Sequence, residues 1–154
     1  MAIEKVIEYF ESLGIADKIK QFDVSSATVE LAAAALGCEG ARIAKTLSFL
    51  VDGNAVLIVT AGDMRIDNHK FKEFFHTKAK MLSPGQVDEL IGHSIGGVCP
   101  FAVNDGCKVY LDVSLRRFDI VYPAAGNAAS AVELTPDELE KYSNSLGWID
   151  VCKS

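Results

Sequence analysis

Long apolar runs are missing from this 154-residue chain. The longest, such as the stretch from Ala55 to Val59, fall far short of the roughly 20 residues needed to cross a bilayer, so no membrane span is expected. The first ten residues interleave charged and apolar side chains and lack the basic-then-apolar order of a secretory leader, so a cytoplasmic protein is expected. Cysteine is scarce and scattered: Cys38, Cys99, Cys107 and Cys152 form no CxxC pair and no dense disulfide framework, so they read as reduced thiols. His69, His76 and His93 form no HExxH and no pair at i, i+4, and the reading calls for no metal and no cofactor. A basic excess is also lacking. Fifteen Lys and Arg against 21 Asp and Glu leave a net charge of −6, which argues against broad adhesion to nucleic acid and leaves only a local contact open.

What remains is 49% apolar and 23% charged, the balance of an ordinary globular chain. At this length a fold hides about 70% of the surface exposed by the unfolded chain, enough for a core without staples. One domain over residues 1–154 is expected, with no repeat, low-complexity tract or linker inside it.

Ile3, Val6, Ile7, Phe10 and Leu13 recur at helical spacing and Gly14 ends the run, so a helix is predicted over 3–13. A second helix is predicted over 25–37, from a serine cap through an alanine-rich body to Gly37. Residues 44–51 and 54–61 flank Asp52–Gly53 as two apolar, β-branched arms, the pattern of a hairpin. Two helices follow at 67–77 and 83–92, the latter opened by Ser83 and Pro84. Strands are predicted at 97–103, 108–112, 119–122, 131–134 and 148–151, with a capped helix starting at Thr135. This order predicts an α+β fold, a mixed and mainly antiparallel sheet surrounded by helices.

Three groups of residues are candidates to carry chemistry. Lys45 is in phase with Ile43, Leu47, Phe49 and Val51, so its ammonium either snorkels to the rim of an apolar face or sits in a cleft beside a partner. Gly96, Gly97, Val98, Cys99 and Pro100 form a glycine pair stiffened by proline, a backbone able to approach a ligand and offer it N–H groups; a plain glycine turn feeding a strand has the same signature. Ala124, Gly126 and Asn127 follow a strand end with small residues that leave room. Between Arg65 and Lys80, five basic and two acidic residues make the one basic concentration of note, with Lys70, Lys72, Lys78 and Lys80 as its lysines.

Residues 25–37, 43–47 (Ile-Ala-Lys-Thr-Leu), 61–63 (Ala-Gly-Asp), 96–101 (Gly-Gly-Val-Cys-Pro-Phe), 109–112 (Val-Tyr-Leu-Asp), Ala125–Gly126 and 132–134 stand in an order that resembles the YbaK/ProX family of aminoacyl-tRNA deacylases. These are relatives of the editing domain inserted in bacterial prolyl-tRNA synthetases, and the resemblance spans residues 20–140. It implies a trans-editing hydrolase that cleaves the ester between a small, wrong amino acid (Ala, Cys or Ser) and a tRNA, typically that for proline. It places the family's functional lysine on Lys45, its substrate loop on Gly96 to Pro100 and its third pocket wall on Ala124 to Asn127. The implied partners are the acceptor end of aminoacyl-tRNA and prolyl-tRNA synthetase, with the chain itself a monomer.

Cys99 stands where the family loop commonly has serine, Ala102 where many members have glycine, and Ala125 to Ala129 where a Gly-Gly-Lys-Arg-Gly turn is common. These departures bear on amino-acid and tRNA preference. In the mechanism expected, the Lys45 ammonium donates to the ester or the terminal ribose-phosphate while N–H groups of Gly96 to Val98 stabilise the oxyanion. Lys70, Lys72, Lys78 and Lys80 are the expected phosphate track. Two rivals stand beside this reading: an inactive module of the same fold that binds an aminoacyl or RNA end, and a thiol enzyme using Cys99 with His93 nearby in sequence.

Overall fold

The computed structural model describes residues 2–23, 28–93, 98–127 and 129–154. Its first helix, α1 (Ala2–Ser12), buries Ile3, Val6 and Phe10, and Gly14 turns the chain away with φ +74°. A 3₁₀ turn (Ala16–Lys18) leads into β1 (Ile19–Gln21). Helix α2 (Val29–Leu36) starts later than its serine-rich approach suggests. Its cap is Thr28, whose hydroxyl accepts the Leu31 N–H at 3.1 Å, and the expected start at Ser25 lies outside the described residues.

The hairpin forms as its sequence predicts. Strands β2 (Ile43–Val51) and β3 (Asn54–Ala61) pair antiparallel around Asp52 and Gly53, whose φ values of +50° and +80° suit a two-residue turn that matches strand twist. Beyond it come β4 (Arg65–Ile66) and α3 (Asn68–Phe75), the latter capped by the Asp67 carboxylate on the His69 and Lys70 N–H groups. Helix α4 (Pro84–Gln86) opens with a reciprocal Ser83–Gln86 capping box, widens into a π-type turn (Val87–Ile91) and stops at Gly92. Then follow β5 (Lys108–Asp112), a 3₁₀ turn (Val113–Arg117), β6 (Tyr122–Pro123), β7 (Ser130–Val132), α5 (Pro136–Tyr142), β8 (Trp148–Ile149) and β9 (Cys152–Lys153).

The main sheet runs β6-β2-β3-β5-β8, and the pairs β1-β7 and β4-β9 are small antiparallel sheets beside it. The mixed α+β fold is the one predicted. Its longest ladder is the antiparallel hairpin, flanked by parallel pairings of β2 with β6, β3 with β5 and β5 with β8. Those parallel neighbours need long crossovers, and the segment carrying α3 and α4 supplies the one from β3 to β5. One expected strand is absent: among described residues 98–103 none is in a strand. Pro100 lacks an N–H for a ladder and Ala102 sits at φ +52°, so this stretch packs as a bent loop while Cys99 and Phe101 are still fully buried.

Strand β3 is covered on both faces. Leu57, Val59 and Ala61 join the main core with Val6, Phe10, Phe101, Leu111, Leu115, Leu134 and Leu139. Val56 and Ile58 face a second layer of Phe49, Val51, Phe71, Ile149 and Val151. Near-continuous apolar character in this strand follows from that double burial.

Candidate functional site

An interrupted strand edge makes the site. Strand β2 pairs with β6 only at Ile43 and Ala44. Farther along, the Leu50 N–H donates to the Lys80 carbonyl at 2.8 Å and the Leu82 N–H to the Ser48 carbonyl at 3.2 Å. Between these two attachments, Lys45, Thr46 and Leu47 line a cavity of about 270 Å³. Its other walls are Thr28, Val29 and Ala32 of α2, Met81, Leu82 and Val87, Val98, Tyr122 and Ala124, and Ser130 and Ala131 of β7. Alternation along β2 turns the Thr46 N–H and carbonyl toward the same edge as those of Ser48 and Leu50. The Thr46 hydroxyl is buried with no hydrogen-bond partner among the described residues. A polar strip therefore crosses the hollow between its apolar walls and the polar side chains of Thr28, Tyr122 and Ser130.

Lys45 keeps the phase read from the sequence, because β2 begins at Ile43, while Leu47, Phe49 and Val51 pack into the second layer. It is half-buried, and its positive charge is felt at Asp63 and Cys152. Asp63 lies below the usual carboxylate range chiefly through its hydrogen bonds with Arg117, at 2.6 and 3.1 Å, and Lys45 adds to that effect. Burial, then Asp112, push the Cys152 thiol up to about 12, and Lys45 opposes them.

Close packing fixes the start of β2. At Gly62 a Cβ would overlap the Gly40 carbonyl oxygen and crowd Val29, so only glycine lets the end of β3 approach the 3₁₀ turn Gly40–Arg42 that feeds β2. At the opposite wall the Ser130 hydroxyl accepts the Ala125 N–H at 3.2 Å and donates to the Asn127 carbonyl at 3.3 Å. The Asn127 side chain accepts the Ala129 N–H, and Gly126 has φ +105°. Gly126 and Asn127 thus shape the turn that presents Ala124 and Ser130 to the cavity.

The structure brings Lys45, Val98 and Ala124 to one cavity; Gly96 and Gly97 lie outside the described residues. Pro100 lines a separate hollow with Tyr9, Val103 and Asn144. Cys99 lies behind the wall, its Sγ 3.6 Å from His93 Nε2 and 3.7 Å from the Phe101 carbonyl. Burial pushes its thiol up to about 12, so it is no ready nucleophile despite the nearby imidazole. Lys70 is paired with Asp150 and the Cys152 carbonyl, both at 3.0 Å, so a phosphate would have to compete with them for its ammonium. Lys72, Lys78 and Lys80 are exposed, and Lys80 directly precedes Met81 on the cavity rim. Sequence reasoning singled out neither Thr46 nor Thr28, and took Tyr122 only as the strand end that opens the third candidate segment. The two threonines are ordinary strand and cap residues, and Tyr122 enters only through the β6 pairing.

Residues 23–142 match the aminoacyl-tRNA editing domain family. The chain belongs to that family. Its relatives include proteins described as a trans-editing enzyme and a tRNA deacylase, the enzyme class expected from the sequence. It is 51% identical over 154 residues to the uncharacterized protein YwhH of Bacillus subtilis (strain 168), covering 99% of this chain and 98% of that one. A proline–tRNA ligase of Leuconostoc citreum (strain KM20) is 30% identical over 113 residues, 72% of this chain and 19% of the ligase. A solved structure described as a candidate trans-editing enzyme for prolyl tRNA synthetase superposes with a TM-score of 0.89 at 28% identity, covering 99% of this chain and 98% of that one. No helix among the described residues is long and apolar enough to cross a membrane.

Proposed function

We propose that this chain acts in the cytoplasm as a free-standing deacylase that hydrolyses the ester of a small amino acid mischarged on tRNA, with tRNA for proline as the preferred carrier. The observation that carries the reading is the cavity of about 270 Å³, in which Lys45 and the edge at Thr46, unpaired among the described residues, face small residues such as Ala32, Ala124 and Ala131. Pockets for drug-sized ligands run from about 300 to 1,000 Å³, so this one suits a single small side chain with its ester. The likeness to part of a proline–tRNA ligase and to a trans-editing structure supports the carrier.

Water attacks the ester carbonyl, the acyl C–O bond breaks, and the terminal ribose leaves as a hydroxyl after taking a proton. Lys45 donates to the developing oxyanion or the adjacent phosphate, together with N–H groups expected from residues 96–98. The Thr46 edge holds the amino group and carbonyl of the amino acid. Size exclusion supplies selectivity, because one methylene in an apolar pocket is worth only about 10–200-fold. Lys72, Lys78 and Lys80 track the acceptor-end phosphates, and Lys70 does not. The chain works as a monomeric editing domain beside prolyl-tRNA synthetase.

The test is ester loss from tRNA for proline charged with alanine, cysteine, serine or proline, with wild-type protein and Lys45→Ala. Turnover of at least one small mischarged species, lost in the variant, is expected. Binding without turnover of any of them would make the chain a recognition module instead.

A further inference from the structure

His93 and Phe101 flank the segment expected to present N–H groups to the ester, and the structure ties them together. His93 is 1% exposed, and its Nε2 lies 2.7 Å from the Phe101 carbonyl. A carbonyl only accepts, so Nε2 carries the proton and Nδ1 is the bare nitrogen. Nδ1 is buried with no partner among the described residues. The same stem is closed by the Asn104 N–H on the Ile91 carbonyl at 2.8 Å and the Asn104 amide on the Glu89 carbonyl at 3.1 Å. Val98, three residues before Phe101, lines the cavity that Lys45 also lines.

We infer that His93 is a positioning residue of the site proposed above: as a neutral imidazole it holds the Phe101 carbonyl and so fixes Val98 in the cavity wall. The inference rests on that functional reading but uses a residue outside the cavity. Asn104 already closes the stem, so the Nε2 bond to Phe101 is a second tie, made on the cavity side of it. A protonated imidazole would bring a second N–H into a space with no acceptor among the described residues. The groups facing it are the Cys99 thiol and, from α1, the Lys5 ammonium bonded to the Gly92 carbonyl at 3.2 Å. Burial, then Lys5, disfavour the charged ring, while the Phe101 bond favours it. The wall is therefore intact at neutral pH and loosens in acid.

The experiment compares wild type with His93→Leu, which removes the donor, and His93→Gln, which restores an N–H at the Nε2 position and cannot be protonated. Deacylation of tRNA for proline charged with alanine is followed from pH 5 to 8, with hydrogen exchange of the amides in 98–103. An unpaired buried carbonyl costs enough to expect a loss of about 10–100-fold in kcat/KM for His93→Leu. The loss should fall mainly on kcat, since the hollow remains and only its alignment suffers. His93→Gln should recover most of it with a flatter acid limb, and exchange in 98–103 should rise in the leucine variant alone while β3 stays protected. Wild-type kcat/KM in a folded His93→Leu, or a loss that glutamine does not repair, overturns the inference. If the leucine variant does not fold, an acid limb in His93→Gln identical to wild type overturns it. Should the wild type hydrolyse none of the charged tRNAs, the functional reading fails, and unchanged exchange in 98–103 would still sink the role of His93. Full activity in His93→Leu beside an inactive Lys45→Ala would sink the role alone.

Discussion

Replacing Phe71 with alanine tests whether the second layer holds β2 in place. Phe71 is fully buried between Phe49 and Phe75, with ring centroids 5.0 and 4.6 Å away. Its neighbour Phe49 bridges to Met81, which stands on the rim of the cavity, so the ring supports one bank of the site. Truncating a buried phenylalanine costs about 3–5 kcal/mol, a sum of lost transfer energy and the hole left behind. With an unfolding entropy of about 2.1 cal/mol/K per residue, a chain of 154 residues loses about 9–15 °C of melting temperature. Calorimetry gives the melting shift, and urea titration gives the free energy with its slope as a check on two-state behaviour. Phe71→Leu should recover more than half of the loss, because it refills much of the space without the ring contacts. A fall of under 4 °C for Phe71→Ala with an unchanged urea slope would refute the packing argument. It would mean that α3 rests on the hairpin without supporting it.

Lys45→Met keeps the aliphatic stem and removes the charge, so deacylation should fall about 100- to 1,000-fold with little change in melting temperature; a loss within twofold would show that the ammonium does not touch the reaction. His93 links folding to pH: unfolded, it takes up a proton near its ordinary value of 6.5, and folded only at lower pH. Its contribution to stability is thus full above about 6.5 and declines as pH falls from there toward the lowered folded value, a slope that His93→Gln should remove from denaturant titrations. Native protein at pH 8 should resist alkylation at Cys99 and Cys152, whose thiols burial pushes up to about 12, until denaturant is added; rapid native labelling of Cys99, read by mass spectrometry, would contradict its burial. Gly62→Ala should lower the melting temperature and deacylation together, since the new Cβ collides with Gly40 and shifts the start of β2, and an unchanged melting temperature would count against that contact.

Residues acting on near neighbours made much of this protein legible in its sequence. The stripe of Ile3, Val6 and Phe10, the Asp52–Gly53 turn, the Ser83 and Thr135 caps and the two-residue phase of Lys45 are all local, and each formed as read. Order along the chain also revealed the family. Tertiary structure decided what depends on distant partners. Parallel pairing of β3 with β5 and of β2 with β6 leaves no short-range signature, since crossovers of any sequence can supply it. The stretch from Val98 to Val103 has a strand's apolar content, but core space around Cys99 and Phe101 bent it into a loop. Lys70 looked free to bind phosphate until β9 and Asp150 came beside it. Among the described residues, the edge at Thr46 is open because β6 stops pairing at Ala44 and the segment after α3 joins at Ser48. A gap between two partners belongs to neither of their sequences, which is why the polar strip of the cavity appears only when the chain is folded.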